Sequence, residues 1–258
     1  MYITAAAEEQ VVKQLASRAT RLDTQAVLKI LDGKRIFLAG GALMPGAPND
    51  YDLYPGDGQP FNHVGIRHVI SNNPKARIVC ETGNALTVRI DDQTVQFCSF
   101  MKTSLQDLCD SFDFAHCQAG VTFEAFRDED DGTSCYRITD VYASENWVQA
   151  KLQESTFYTG SEYPLGALLR VLKYEKRGLF IGKSWMDSVF HVLRDLMNRG
   201  FRDRDDFRRQ LESIDLGITD GGNMDWLYEV FDLNGLVKSS PTDERQPSDC
   251  VENPDAPF

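Results

Sequence analysis

The sequence is short of several features that would settle a class at once. No stretch approaches the roughly 18 apolar residues of a membrane span, and Glu8, Glu9 and Lys13 break any apolar run near the start. Neither a transmembrane anchor nor a secretory signal is read, and a cytoplasmic protein is expected. There are six cysteines but no CxxC pair and no zinc spacing, so they read as reduced, partly buried small hydrophobes. Five of them precede residue 140, where most of the core is expected. Histidine is scarce. His63 and His68, five apart, do not share a helix face, and His116 and His191 are isolated, which argues against an imidazole metal centre. There is no Gly-x-Ser-x-Gly elbow. The run Gly178–Ser184 imitates a phosphate loop but has its first glycine four, not five, residues before Gly182 and follows no strand. An excess of basic residues is also missing: the formal net charge is -12, which speaks against broad, non-specific binding of long nucleic acids.

What is present is the balance of a globular protein, 258 residues with 42% hydrophobic and 26% charged. Apolar residues recur at helical spacing in two stretches within 5–32, at Val11, Val12 and Leu15 and again at Ala26, Val27, Ile30 and Leu31. Short strands are expected at Arg35–Ala39, Tyr51–Tyr54, Ala76–Cys80, Ala85–Ile90, Thr94–Phe100 and Cys135–Ile138, with a helix over 61–72 and a short one opened by Ser104. Residues 112–123 alternate loosely. From 143 onward the pattern is helical, at 144–153, 165–177, 184–199, 203–213 and 223–236, and the tail from Ser239 reads as disordered. The expected class is therefore α+β: a mixed-sheet domain over 1–142, a helical domain over 143–238 and a tail over 239–258. Trp147, Trp185 and Trp226 read as core or interface residues.

The informative segment runs from Phe37 to Tyr54. An apolar strand ends on Gly40-Gly41, a loop follows, and a second strand carries Asp50 and Asp52. Residues i and i+2 of a strand share a face, so the two carboxylates project together. Their mutual repulsion is relieved when a divalent cation bridges them. Glycines let the backbone approach a phosphate closely, and a helix beginning at Gly41 would add its N–H groups. The plain alternative is a pair of turn residues on a solvated edge strand. The metal reading is adopted because the pair follows a buried strand, sits beside apolar Leu53 and lies a short loop beyond the glycines.

Gly-Gly, a loop and Asp-x-Asp within a strand resemble the signature of the DNA polymerase beta-like nucleotidyltransferases. The nearest likeness is to the head domain of class II tRNA CCA-adding enzymes and bacterial poly(A) polymerases. Further along, Ser104–Gln118 resembles the family's acidic helix and Arg-Arg-Asp-Phe-Thr-Ile-Asn-Ala element. Asp113-Phe114-Ala115 keeps its core, while Ser111, Phe112 and Cys117 replace the arginines and asparagine. The resemblance implies that Asp113 helps hold the ribose; the alternative is a turn cap. Pro164-Leu165 with Arg170, Lys173, Tyr174 and Gly178 resembles the neck helix. By that resemblance Arg170, Lys173 and Arg177 contact the triphosphate, against the alternative of a solvated basic stripe. Asp205–Arg209 echoes the family's Glu-Asp-x-x-Arg helix, but an ordinary surface ion pair is the preferred reading. One departure concerns the third carboxylate that members often carry on a later strand, where Gln96 stands here.

The resemblance, over roughly residues 34–180, implies a magnesium-dependent enzyme that moves NMP from an NTP to an acceptor hydroxyl, on an RNA 3′ end (tRNA among them) or on a protein. Asp50 and Asp52 would be its catalytic metal ligands, and Gly40 and Gly41 its phosphate loop. The extended body and tail of a CCA-adding enzyme do not fit in the remaining residues, so a compact phage or accessory type is expected. Gln96 supports a rival: a non-catalytic nucleotide- or partner-binding protein on a degenerate scaffold.

Overall fold

Alternating apolar residues in the first half of the chain build one mixed sheet. In the computed structural model, which describes residues 5–31, 33–44, 48, 50–128 and 132–212, its seven strands lie in the order β3-β4-β5-β2-β1-β6-β7. These are β1 Ile36–Ala39, β2 Tyr51–Pro55, β3 Ala76–Glu81, β4 Ala85–Ile90, β5 Gln93–Cys98, β6 Ala119–Arg127 and β7 Ser134–Ala143. Only β2 and β5 pair in parallel; every other neighbouring pair is antiparallel. The helices are α1 Ala5–Ala19, α2 Thr24–Leu31, α3 His63–Ser71, α4 Leu105–Asp110, α5 Glu145–Leu152, α6 Pro164–Lys176, α7 Ser184–Arg199 and α8 Arg204–Glu212. The molecule is α+β, as expected. None of these helices is long and apolar enough to cross a membrane, among the described residues.

The pleat sorts side chains onto two faces. Ile36, Leu38, Leu53, Val95, Phe97, Leu86, Val88 and Val121 point to one of them and form the main core with α1, α2 and α3. Trp147 of α5 lies in that core too. Phe37, Ala39, Tyr54 and Cys98 point to the other face, where Leu105, Leu108 and Cys109 of α4 cover them. A third cluster, with Phe114, Val171, Tyr174 and Val192, joins the turn before β6 to α6 and α7.

Local sequence explains the connections. Ser104 and Ser144 cap α4 and α5 by accepting the backbone N–H of Asp107 and Trp147. Ile90 pairs with Gln93 across a two-residue turn in which Asp91 takes φ 50°, a left-handed geometry that Asp tolerates. Some expectations need correction. β5 ends at Cys98 rather than running to Phe100. The loosely alternating 112–123 resolves into a 3₁₀ turn at Ala115–Cys117 and the start of a nine-residue strand. β7 is ten residues long instead of four. Its burial is diluted because it is the outer edge strand, so the alternation that marks a half-buried strand is faint there. The expected helix at 223–236, with Trp226, and the tail from Ser239 lie outside the described residues.

Candidate active site

β1 and β2 lie side by side, with Phe37 opposite Tyr54 and Leu38 opposite Leu53. Leu53 is fully buried on the core side, so its neighbour Asp52 turns to the other face, where Tyr54 also points. Asp50, two residues back, shares that face and accepts a hydrogen bond from Gln96 Nε2 at 3.4 Å. Both aspartates are half-exposed. The glycine bend stands against them. Gly40 takes φ +83°, and a Cβ built there would lie 3.9 Å from Asp52 Oδ2 and 3.9 Å from Phe112 Cζ. Gly41 is exposed, with open space where its side chain would be. Gly40–Leu43 forms a single 3₁₀ turn, not an α-helix. Any anion there would be met by close backbone approach, without a helix macrodipole.

Beneath the carboxylates is an apolar floor. Tyr54 and Phe112 pack edge to face at 6.0 Å. The buried Cys98 thiol is pushed well up, first by burial and then by the charge of Asp52, with Asp50 adding to it. Tyr54 is raised by the same burial. Phe112, noted in the sequence only as a lost arginine, is the wall beside the glycine bend. Its position is set by Gln118, whose Nε2 donates to Phe112 O at 2.7 Å and to Thr159 Oγ1 at 3.0 Å. Gln118 also accepts from Ser144 Oγ at 2.8 Å. That buried hub carries no sequence signal of its own.

Gln96 lies directly beside Asp52 in the β2–β5 register. The position expected for a third acid is therefore filled by an amide next to the pair. Among the described residues no group of three or more His, Cys, Asp or Glu gathers to hold a metal. The donors present still suit magnesium, a hard ion that binds through one or two carboxylates together with waters and substrate phosphates.

Two other expected residues are brought together. Arg170 of α6 donates Nε to Asp113 Oδ2 at 2.8 Å and Nη2 to the same oxygen at 2.5 Å. Burial raises the Asp113 carboxyl, and Arg170 pulls it back down. The buried Cys117 thiol, pushed up to about 12 chiefly by burial, feels Asp113, Asp52 and Arg170 together. The ion pair ties the sheet to the helices, and Asp113 follows directly on Phe112, the ring packed beside Gly40. Lys173 is half-exposed; Arg177 caps the end of α6, exposed, its charge felt by His116. The surface-pair reading of Asp205–Arg209 is corrected on one side. Asp206 is 1% exposed and receives Arg199 at 3.2 Å, Arg202 at 3.3 Å and Arg209 at 3.6 Å.

No family model matches the sequence, and no curated protein matches it. Solved structures do match. The fold is similar to that of CCA-adding enzymes. A tRNA-processing enzyme in apo form is 13% identical with a TM-score of 0.42, over 92% of this chain and 59% of its own. The Thermotoga maritima CCA-adding enzyme complexed with tRNA is 13% identical with a TM-score of 0.43, over 89% and 57%. A CCA-adding enzyme in complex with CTP is 11% identical with a TM-score of 0.44, over 88% and 54%. The chain thus spans less than two thirds of each. Likenesses at this level concern the fold, and the reading of the site rests on its residues.

Proposed function

We propose that the protein is a nucleotidyltransferase that moves NMP from an NTP to an acceptor hydroxyl and releases pyrophosphate. The observation that carries this reading is the juxtaposition of Asp52 with Gly40, with Asp50 on the same face. Two half-exposed carboxylates and an exposed glycine bend lie together over an apolar floor of Tyr54 and Phe112. Asp50 and Asp52 would hold magnesium, which when bound supplies Lewis-acid activation of the acceptor hydroxyl and neutralises charge on the leaving pyrophosphate. Gly40 and Gly41 admit phosphate oxygens close to the backbone. Asp113, oriented by Arg170, faces the ribose, while Lys173 and Arg177 supply positive charge for the triphosphate. Phe112 and Tyr54 keep water from the floor of the cleft. RNA 3′ ends are the acceptors considered first, with protein hydroxyls second. We also propose a division into a sheet domain over 1–142 and a helical domain over 143–238, of which residues 213–238 lie outside the described residues.

The test is incubation with labelled NTPs, magnesium and total RNA or lysate, in wild type and in Asp50→Asn and Asp52→Asn. Label is expected in an acceptor with wild type and reduced on the order of a hundredfold or more in either variant. Undiminished transfer by the variants would refute these roles. A second reading, binding without turnover, is favoured by Gln96, whose amide already engages Asp50. Under that reading calorimetry finds NTP binding indifferent to magnesium, and no label moves.

A further inference from the structure

Beside the carboxylates the sheet continues through β5, β4 and β3, and the same face is unusually furnished there. Along β4, Leu86, Val88 and Ile90 are buried on the core side while Thr87 and Arg89 are half-exposed on the other. On β5, Val95 and Phe97 are buried and Thr94 and Gln96 are half-exposed. The registers then align two rows across the strands. Gln96 sits between Thr87 and Asp52. Thr94 sits beside Arg89, and Arg89 is opposite Arg77 of β3. Tyr51 pairs with Val95, so the residues before them, Asp50 and Thr94, occupy this second row. It reads Asp50, Thr94, Arg89, Arg77.

Two arginines directly opposite on neighbouring strands repel, and such pairs are destabilising unless an anion is shared. Arg89 donates to Thr94 Oγ1 at 3.2 Å and to Asp91 O at 3.3 Å, both neutral oxygens. Arg77 is exposed, and neither arginine has an acidic partner among the described residues. At about 4.8 Å per strand, Arg89 and Arg77 stand roughly 10 and 14 Å from Asp50. That gap is spanned by a short stretch of single-stranded RNA. The strand order also places this patch on the opposite flank of Asp52 from Asp113 and Arg170, which lie towards β6. The nucleotide and this second ligand would not compete for space.

We propose that the β3–β5 face is the acceptor platform and takes a single-stranded RNA 3′ end, with Arg89 and Arg77 on its upstream phosphates. Thr87, Thr94 and Gln96 offer hydroxyls and an amide to the terminal sugars. The inference rests on Asp50 and Asp52 being the catalytic pair and names the acceptor for them.

The test is equilibrium binding of a labelled unstructured oligoribonucleotide, followed by fluorescence anisotropy across a salt series without NTP. Arg77→Ala/Arg89→Ala is expected to bind at least tenfold more weakly at low salt. Its log–log salt slope should be shallower by about 1.4, two contacts at about 0.7 each. Arg127→Ala/Arg137→Ala, with the same charge change on β6 and β7, should bind like wild type. No RNA binding by wild type, or equal losses in both double variants, overturns the platform. In the transfer assay, label carried to protein instead of RNA overturns the platform but leaves nucleotidyl transfer standing. RNA bound by the arginines with no label moved leaves a plain RNA-binding face and overturns both the catalytic reading and the acceptor role of the platform.

Discussion

Gly40 and Gly41 are adjacent, yet their environments call for different responses to the same methyl group. Gly40 holds φ +83°, where an L-residue costs about 1–2 kcal/mol. The nearest atoms at 3.9 Å leave room for a methyl, so Gly40→Ala should lower the melting temperature through the backbone alone. Gly41 has open space and no positive φ. Gly41→Ala should leave stability within about 0.5 kcal/mol of wild type but weaken NTP binding, because the methyl enters the volume assigned to phosphate. Thermal melts paired with nucleotide titrations separate the two effects. Arg170 poses a different question. Arg170→Met leaves the mostly buried Asp113 carboxylate without its partner, a change of about 3–5 kcal/mol at neutral pH. An unpaired buried carboxyl has its folded pKa above the unfolded value. Its penalty is therefore largest above that range and shrinks as pH falls towards about 4. Denaturant unfolding at the two pH values checks this; a deficit independent of pH contradicts it.

At the scale of elements, α4 meets the sheet through Gly120. A Cβ there would come within 2.7 Å of Leu105 Cδ1, 2.9 Å of Cys109 Sγ and 3.2 Å of Ala39 Cβ. Gly120→Val should displace α4 and cost about 1–3 kcal/mol in urea unfolding. That contact also shows where the sequence is readable. β4 and β5 could be placed because one of their faces is buried and alternation is strong, and Asp50 and Asp52 because spacing on a strand dictates orientation. β6 and β7 are harder to read from sequence, because Gly120 and Thr122 interrupt the apolar pattern of β6 and the outer strand is largely exposed. The Asp113–Arg170 pair joins residues 57 apart, a pairing that only the docking of α6 creates. Each residue stands out singly in the sequence, and their union does not. The role of Phe112 depends on Gln118, a buried amide that periodicity cannot distinguish from a surface one.

Across the whole molecule, the sheet and helices meet at a buried histidine. His116 has its pKa lowered to about 3 by burial first and by the charge of Arg177 second. Its Nδ1 lies 2.6 Å from Thr156 Oγ1 and its ring packs edge-on to Tyr174 at 4.3 Å. The unfolded chain binds this proton near the ordinary value of 6.5 and the folded one does not. Stability is then complete above about pH 6.5 and declines as pH falls through the interval below it. His116→Gln should flatten that decline in melting experiments between about pH 7.5 and pH 5.5; an unchanged slope assigns the acid sensitivity elsewhere. The net charge of -12 is compatible with the proposal that anion contacts are local, at α6 and on the β3–β5 face, instead of spread over the surface.

Whether Asp50 and Asp52 serve nucleotidyl transfer is tested most directly by the position of the label on the NTP. With magnesium and an RNA acceptor, α-phosphate label should become acid-stable in the acceptor while γ-phosphate label leaves as pyrophosphate, and both should cease in Asp50→Asn/Asp52→Asn. Transfer of the γ-label to the acceptor, or α-label incorporation that survives loss of both carboxylates, would contradict the account.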